Sequence, residues 1–238
     1  MHNPRTLGLA RRLLPRFLLR RLDPFHSRIE EKLAEFAASL PPGERVLDAG
    51  AGECRFQAFF PTNHYVSVDN TAGDASWDYS RLSAIADLAA LPFASGSFAA
   101  AISVVVLEHL ADPEAALREM RRVLEAGGRC LVAVPQIWEL HQEPHDFYRY
   151  TRYGLEHLLR SAGFRVVELE PTGGYFQLAG KLSIDLLQFF ERGAGWILFV
   201  PLAPVFGFLV PLACYYLDKL DRKKAFAVGF VAVAEAAA

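Results

Sequence analysis

Three aspartates close three short apolar runs: Asp48 ends RVLD, Asp69 ends HYVSVD and Asp87 ends SAIAD. Two glycines one residue apart, Gly50 and Gly52, follow the first of them in RVLDAGAGECR. Small residues after a strand let a ligand lie against the backbone, and the adjoining carboxylate can take a cationic or hydroxylic group. The spacing narrows the ligand. A dinucleotide fingerprint, G-x-G-x-x-G, needs a third glycine where Arg55 stands, and no Gly-Lys-Ser/Thr ending supplies a phosphate-cradling loop. Taken alone, the turn fits a tight left-handed bend with no ligand at least as well. Asp69, 21 residues beyond Asp48, shifts that balance. In a doubly wound sheet consecutive parallel strands end side by side, so it faces whatever occupies the glycine turn, and a ribose diol is the usual partner.

A second group of residues suits acid–base work. The apolar run Phe98 to Val106 is soon followed by Glu108 and His109, and the segment HQEPHDFYRYTR gathers His141, His145, Asp146, Tyr148, Arg149 and Tyr150. A plain connection does not require such a density of polar and aromatic groups. His141 or His145 is read as a base or acceptor-positioning group, with His109 a further candidate and Tyr148 and Arg149 shaping the pocket. A structural reading stays open beside it, in which His109 bonds a loop and Arg149 pairs with Asp146. Cys54, Cys130 and Cys214 are far apart and form no C-x-x-C pair, so neither a disulfide framework nor a metal site is indicated.

The elements that must position these groups alternate. Ser27 and Glu30 form a capping box for an amphipathic helix over residues 27–40, stopped by Pro41-Pro42-Gly43. Strand 1 covers Arg45 to Ala49, and a helix from about Glu53 to Phe60 follows the glycine turn. His64 to Asn70, Ile85 to Asp87, Phe98 to Val106, Arg129 to Val134 and Phe164 to Leu169 read as further strands. Asp112-Pro113 and Thr151 open the two helices between the later ones. Strand and helix in alternation predict a parallel sheet with helices on both faces. Its carboxyl edge is where such sheets bind ligands.

Charge and hydropathy divide the chain further. The first 22 residues carry Arg5, Arg11, Arg12, Arg16, Arg20 and Arg21 and no acid, while the remainder holds 19 basic against 27 acidic residues. The polarity is local, and the overall charge of -2 gives no general nucleic-acid signal. Gly193 to Leu217 runs 25 residues without a charge, long enough as a helix to cross a hydrocarbon core. Pro201, Pro204, Gly207 and Pro211 speak against one regular span. Phe226 to Glu235 resembles a last sheet strand, and a single crossing strands it on the wrong side. The run is therefore expected either as a hairpin bent near Pro204 to Gly207, or lying in the interface, or as a buried lid or dimer contact. The basic leader favours contact with anionic lipid at a cytoplasmic face, peripheral or monotopic.

Residues 45–170 resemble the class I S-adenosylmethionine-dependent methyltransferases, the type-11 branch in particular. The pieces that carry the likeness are VLDAGAGE, VSVDN, ADLAALPFASGSF, VVVLEHL and PEAALREMRRVLEAGGRCLVAVP, in that order. The resemblance implies a Rossmann-like, doubly wound seven-stranded α/β sheet with a reversed last strand, here with an apolar helical insertion before it. It implies S-adenosylmethionine as cofactor. Asp48, Ala49, Gly50 and Gly52 then flank the methionine part, with Asp48 near its amino group. Asp69 and Asn70 take the ribose, Asp87 and Leu88 the adenine, and Ser103 and Val104 the methionine end. Cys54 replaces a common third glycine and Ala99 a common aspartate, so the donor site is somewhat nonstandard. The organisation implied is a leader and helix over 1–44, a donor-binding core over 45–175, an insertion over 176–224 and the last strand over 225–238. The expected activity is methyl transfer to a small-molecule, lipid-linked or saccharide acceptor. The alternative is a membrane-attached scaffold that keeps the fold without turnover. No nucleic-acid partner is expected.

Overall fold

The computed structural model describes residues 15–237. Arg5, Arg11 and Arg12 of the basic leader lie outside the described residues. The segment after Pro15 is helical, α1 (Arg16–Leu22), and is followed at once by α2 (Pro24–Ala38). The second helix starts three residues before the Ser27 capping box expected from the sequence. The Asp23 carboxylate accepts from the His26 amide at 3.3 Å and Pro24 brings no N–H needing a partner, so the earlier start is the better capped one. Phe25, Ile29, Leu33 and Phe36 form its buried stripe.

Seven strands form one mixed sheet: β1 (Arg45–Ala49), β2 (His64–Asp69), β3 (Ala84–Ile85), β4 (Phe98–Val104), β5 (Leu124–Pro135), β6 (Phe164–Pro171) and β7 (Gly229–Ala236). Their order across the sheet is β3-β2-β1-β4-β5-β7-β6. The pairings β2–β3, β1–β2, β1–β4 and β4–β5 are parallel. β7 runs antiparallel to β6, because Thr172 N–H meets the Gly229 carbonyl at one end and Ala237 N–H meets the Gly163 carbonyl at the other. The reversal of order between β1 and β4 puts the ends of β1, β2 and β4 at a topological switch point, where open sheets bind ligands. β4 is buried at every position but Ala99, and β5 is buried from Cys130 to Pro135, as fits strands covered on both faces.

Helices α3 (Pro113–Val123) and α4 (Arg152–Ser161) cover the sheet through Leu117, Met120, Val123, Leu155 and Leu159. Asp112 caps the first by accepting from Ala115 N–H at 3.0 Å, and Thr151 caps the second by accepting from Gly154 N–H at 3.1 Å. The helix expected over Glu53 to Phe60 does not form. Gly52 and Cys54 take left-handed φ angles of 50° and 57°, which break an α-helix at its start, and only the 3₁₀ turn Gln57–Phe59 remains.

Backbone contacts separate the described chain into two compact units, one of Glu31–Glu170 with Phe230 onward, the other of residues up to Glu30 with Pro171–Gly229. The second unit is built on α5 (Tyr175–Leu186), α6 (Trp196–Pro204) and α7 (Val210–Leu217). No bend occurs at Pro204 to Gly207. A π-helical stretch, Val205–Leu209, joins α6 and α7 into one helical run, with Val210 N–H reaching back five residues to the Val205 carbonyl. In that register the Phe206 carbonyl awaits Pro211, which has no N–H. The Ser183 hydroxyl lies 2.9 Å from it instead. The run therefore does not fold back on itself as expected; a different hairpin forms with α5, its turn lying between Phe190 and Trp196. α5 leads out and α6–α7 leads back, as the contacts of Gly180 with Pro211 and Cys214, and of Leu187 with Gly207, require. At the hairpin base the buried Asp218 accepts from the Gly174 and Gln177 amides at 3.1 and 3.2 Å and pairs with Lys224. It thereby caps α5 from 41 residues away.

Candidate active site

The glycine turn is held from both neighbouring strands. Gly50, at φ 90°, and Ala51 donate to the Val68 carbonyl of β2 at 2.8 and 3.0 Å. The Asp69 carboxylate accepts from Gly52 N–H at 2.9 Å through one oxygen and from Thr71 N–H at 2.7 Å through the other. A carboxylate has about four acceptor positions, so two remain for a ligand diol. The residue closing strand 2 thus fixes the turn that closes strand 1. On the other side Val106, just beyond β4, fills the space beside Gly50, and the Trp77 ring lies over Gly52. Trp77 and Tyr79, whose rings are 6.2 Å apart, stand beside the turn and are functional candidates that sequence reasoning missed.

Asp48 is buried and accepts from the Tyr65 hydroxyl of β2. Burial pushes its carboxyl up to about 7, with the nearby Asp69 charge adding to the rise against the Tyr65 hydrogen bond. The unfolded chain releases that proton near pH 4. Between about pH 4 and pH 7 the folded state therefore holds a proton the unfolded state has lost, and stability falls as the pH rises through this window. Urea midpoints should decline from pH 5 to pH 7.5, and Asp48→Asn, which keeps an acceptor for Tyr65 but never ionises, should flatten that decline. An unchanged slope in the variant would assign it to other groups.

The remaining donor-site candidates are distributed around this turn. β3 ends at Ile85, so Asp87 sits in the following loop, where it accepts from Ala89 N–H at 2.9 Å, and Leu88 is buried. Ser103 and Val104 close β4 inside the core, and the Ser103 hydroxyl has no hydrogen-bond partner among the described residues. Ala49 ends β1 buried, and the exposed Asn70 accepts from Ala72 N–H at 3.0 Å.

The second group folds onto the 3₁₀ turn Leu107–His109 that follows β4. Phe147 and Tyr148 donate their amides to the Glu108 carbonyl, and the Tyr150 hydroxyl donates to the Leu107 carbonyl. Arg149 grips Asp146 with both arms of its guanidinium, at 2.6 and 2.7 Å, and also donates to the Glu139 carbonyl. Burial opposes the charge of Asp146, but Arg149 and the His141 amide hold its carboxyl down to about 2. Tyr148 donates its hydroxyl to the Ala111 carbonyl at 3.1 Å. Arg149 and Tyr148 are thus engaged in holding the segment 141–150, and the His145 side chain is exposed. His109 and His141 come together, ring centroids 4.6 Å apart and nearly perpendicular. Between them stands Glu108, fully buried, which sequence reasoning did not single out. Its signal was an acid inside the apolar run VVVLEHL. Burial pushes Glu108 up to about 8 and pushes both imidazoles below their ordinary value.

Residues 47–132 match the family model described as a methyltransferase domain. A tRNA (carboxymethyluridine(34)-5-O)-methyltransferase of Xenopus tropicalis is 33% identical over 117 residues, which cover 47% of this chain and 18% of that protein. An uncharacterized methyltransferase of a Mycobacterium species is 32% identical over 148 residues, 54% of this chain and 57% of that protein. The chain therefore spans less than a fifth of the first relative. A solved structure of Haemonchus contortus phosphoethanolamine N-methyltransferase 2, in complex with S-adenosyl-L-methionine, shares the fold at a TM-score of 0.53 and 16% identity, over 88% of this chain and 52% of that one. With the strand order, the glycine turn tied by Asp69 and the matched segment together, residues 47–132 are a methyltransferase domain with S-adenosylmethionine as its cofactor.

Proposed function

We propose that the chain methylates a lipid-linked, quinone-like or saccharide acceptor presented at a membrane face. The observation that carries the membrane part is the apolar hairpin. Gly193–Leu220 form a helical run of 28 residues whose most apolar 18-residue window has a mean hydropathy of 2.3 and is only 17% buried. Phe189 and Ile197, beside the hairpin turn, are 76% and 78% exposed, and Leu182, Leu198, Val200 and Leu209 extend the apolar face. An exposed apolar surface of this kind marks a contact site. Both ends of the hairpin return to strands of one sheet, so it dips into one leaflet or lies along it rather than crossing. Arg20 and Arg21 of α1 belong to the same unit, and Arg21 stacks over Tyr216 of α7 at 5.6 Å, which supports attraction to anionic headgroups.

The donor supplies an already activated methyl group, so the chain's main contributions are alignment and exclusion of water. The glycine turn and Asp69 orient the donor, and Asp48 receives its amino group. The methyl–sulfur bond breaks as the bond to the acceptor atom forms, and S-adenosylhomocysteine leaves. When the acceptor must lose a proton, His145, exposed on the segment 141–150, serves as the base.

Incubating the full chain with methyl-labelled donor and vesicles made from a total lipid extract tests the proposal. Label is expected in the organic phase. Label found only in soluble metabolites or in RNA overturns the membrane acceptor while keeping methyl transfer. Failure to bind the donor at millimolar concentration overturns both and favours a scaffold.

A further inference from the structure

Beneath the segment 141–150, Glu108, His109 and His141 direct acceptor atoms at one point. The Nδ1 of His109 lies 2.7 Å from the His145 carbonyl oxygen, and the Nδ1 of His141 lies 3.1 Å from that of Glu139. A carbonyl oxygen can only accept, so each Nδ1 carries the ring proton and each Nε2 presents a lone pair. Both Nε2 atoms lie 3.9 Å from the Glu108 Oε1. The side chains of Glu108, His109 and His141 are 0%, 10% and 4% exposed. Neither Nε2 and neither Glu108 oxygen has a hydrogen-bond partner among the described residues. Three buried acceptors face one another with no donor between them, an arrangement that costs free energy unless a cation occupies the gap.

We propose that Glu108, His109 and His141 bind one first-row divalent transition-metal ion. Their ligand atoms all lie within 4.8 Å of one another, and with metal–ligand bonds of about 2.1 Å a shift of roughly half an ångström by each ring closes the set. Two imidazoles and one carboxylate suit Zn²⁺, Fe²⁺, Mn²⁺ or Co²⁺, and leave further coordination positions open to water or an acceptor oxygen. Mg²⁺ and Ca²⁺, which take oxygen ligands, do not match the donor set. The carbonyls that hold each Nδ1 fix ring orientation in the manner usual for metal-bound histidines. Arg149, by clamping Asp146 beneath the His141 amide, keeps the segment over the site. The three cysteines take no part.

The test reads binding and needs no donor or acceptor, so its outcome is separate from that of the methyl-transfer reading. The full chain is stripped with chelator and titrated with Co²⁺. A visible d–d absorption saturating at one ion per chain is expected, displaced by Zn²⁺. His141→Ala and Glu108→Gln should each weaken Co²⁺ binding by roughly 100-fold. Because a buried variant can fail to fold, the wild-type chain is also labelled with ¹⁵N in its histidines and titrated with Zn²⁺. Large shifts confined to the Nε2 resonances of two histidines are expected. Unshifted Nε2 resonances, or Co²⁺ binding equal in the wild type and both folded variants, would overturn the site. A proton shared between Glu108 and an Nε2, persisting with Zn²⁺ in excess, would overturn it as well.

Discussion

Asp69→Ala should weaken S-adenosylmethionine binding by at least about 100-fold, close to 2.7 kcal/mol. Two losses combine. Hydrogen bonds from a ligand diol to a carboxylate contribute roughly 1.5–3 kcal/mol each. The Gly52 and Thr71 amides lose their acceptor at the same time, so the turn proposed to hold the donor is released. Asparagine should restore little, because its amide presents N–H on one side toward a backbone N–H that needs an acceptor. Calorimetric titration of each variant measures the effect. Donor affinity within threefold of the wild type in Asp69→Ala would remove this carboxylate from the site.

Gly50→Val should cost about 3 kcal/mol of stability. Any side chain at φ 90° is strained by roughly 1–2 kcal/mol, and a Cβ there overlaps both methyl groups of Val106 and lies 3.0 Å from its Cβ. Overpacking of this sort costs about 1–3 kcal/mol. The two contributions separate in a double-mutant cycle. Val106→Ala removes the methyls, so in its presence the Gly50 substitution should keep the backbone cost and lose the steric one, giving a coupling of about 1–2 kcal/mol. Urea midpoints at constant m-value read it, and simple additivity of the two single variants would refute the contact.

The glycine turn was legible because its chemistry is local: D-x-G-x-G after an apolar run, with acids ending the next runs. The strand–helix alternation and the caps at Asp112 and Thr151 were local as well. What sequence reading missed depends on partners far along the chain. Glu108 is buried because residues 141–150 fold over it. Asp48 meets Tyr65 only because β1 and β2 pair in register, and Asp218 caps a helix that starts more than 40 residues earlier. The prolines of the apolar run were read as a bend. A π-helical turn continues the helix instead, the Ser183 hydroxyl serves the carbonyl left by Pro211, and the hairpin that forms turns at residues 191–195 and includes α5.

The place of β7 has a consequence for how the chain reaches this structure. It lies between β5 and β6 in the sheet, yet 57 residues of the second unit separate it from the end of β6. As the chain leaves the ribosome, β5 and β6 are complete while the slot between them stays open until the hairpin has been synthesised. Two strand edges and an apolar hairpin are then exposed together, the combination that drives aggregation of nascent chains. On the membrane contact proposed above, insertion of the hairpin into lipid before β7 arrives would remove one of these hazards, and refolding yield from denaturant should then rise when anionic vesicles are present.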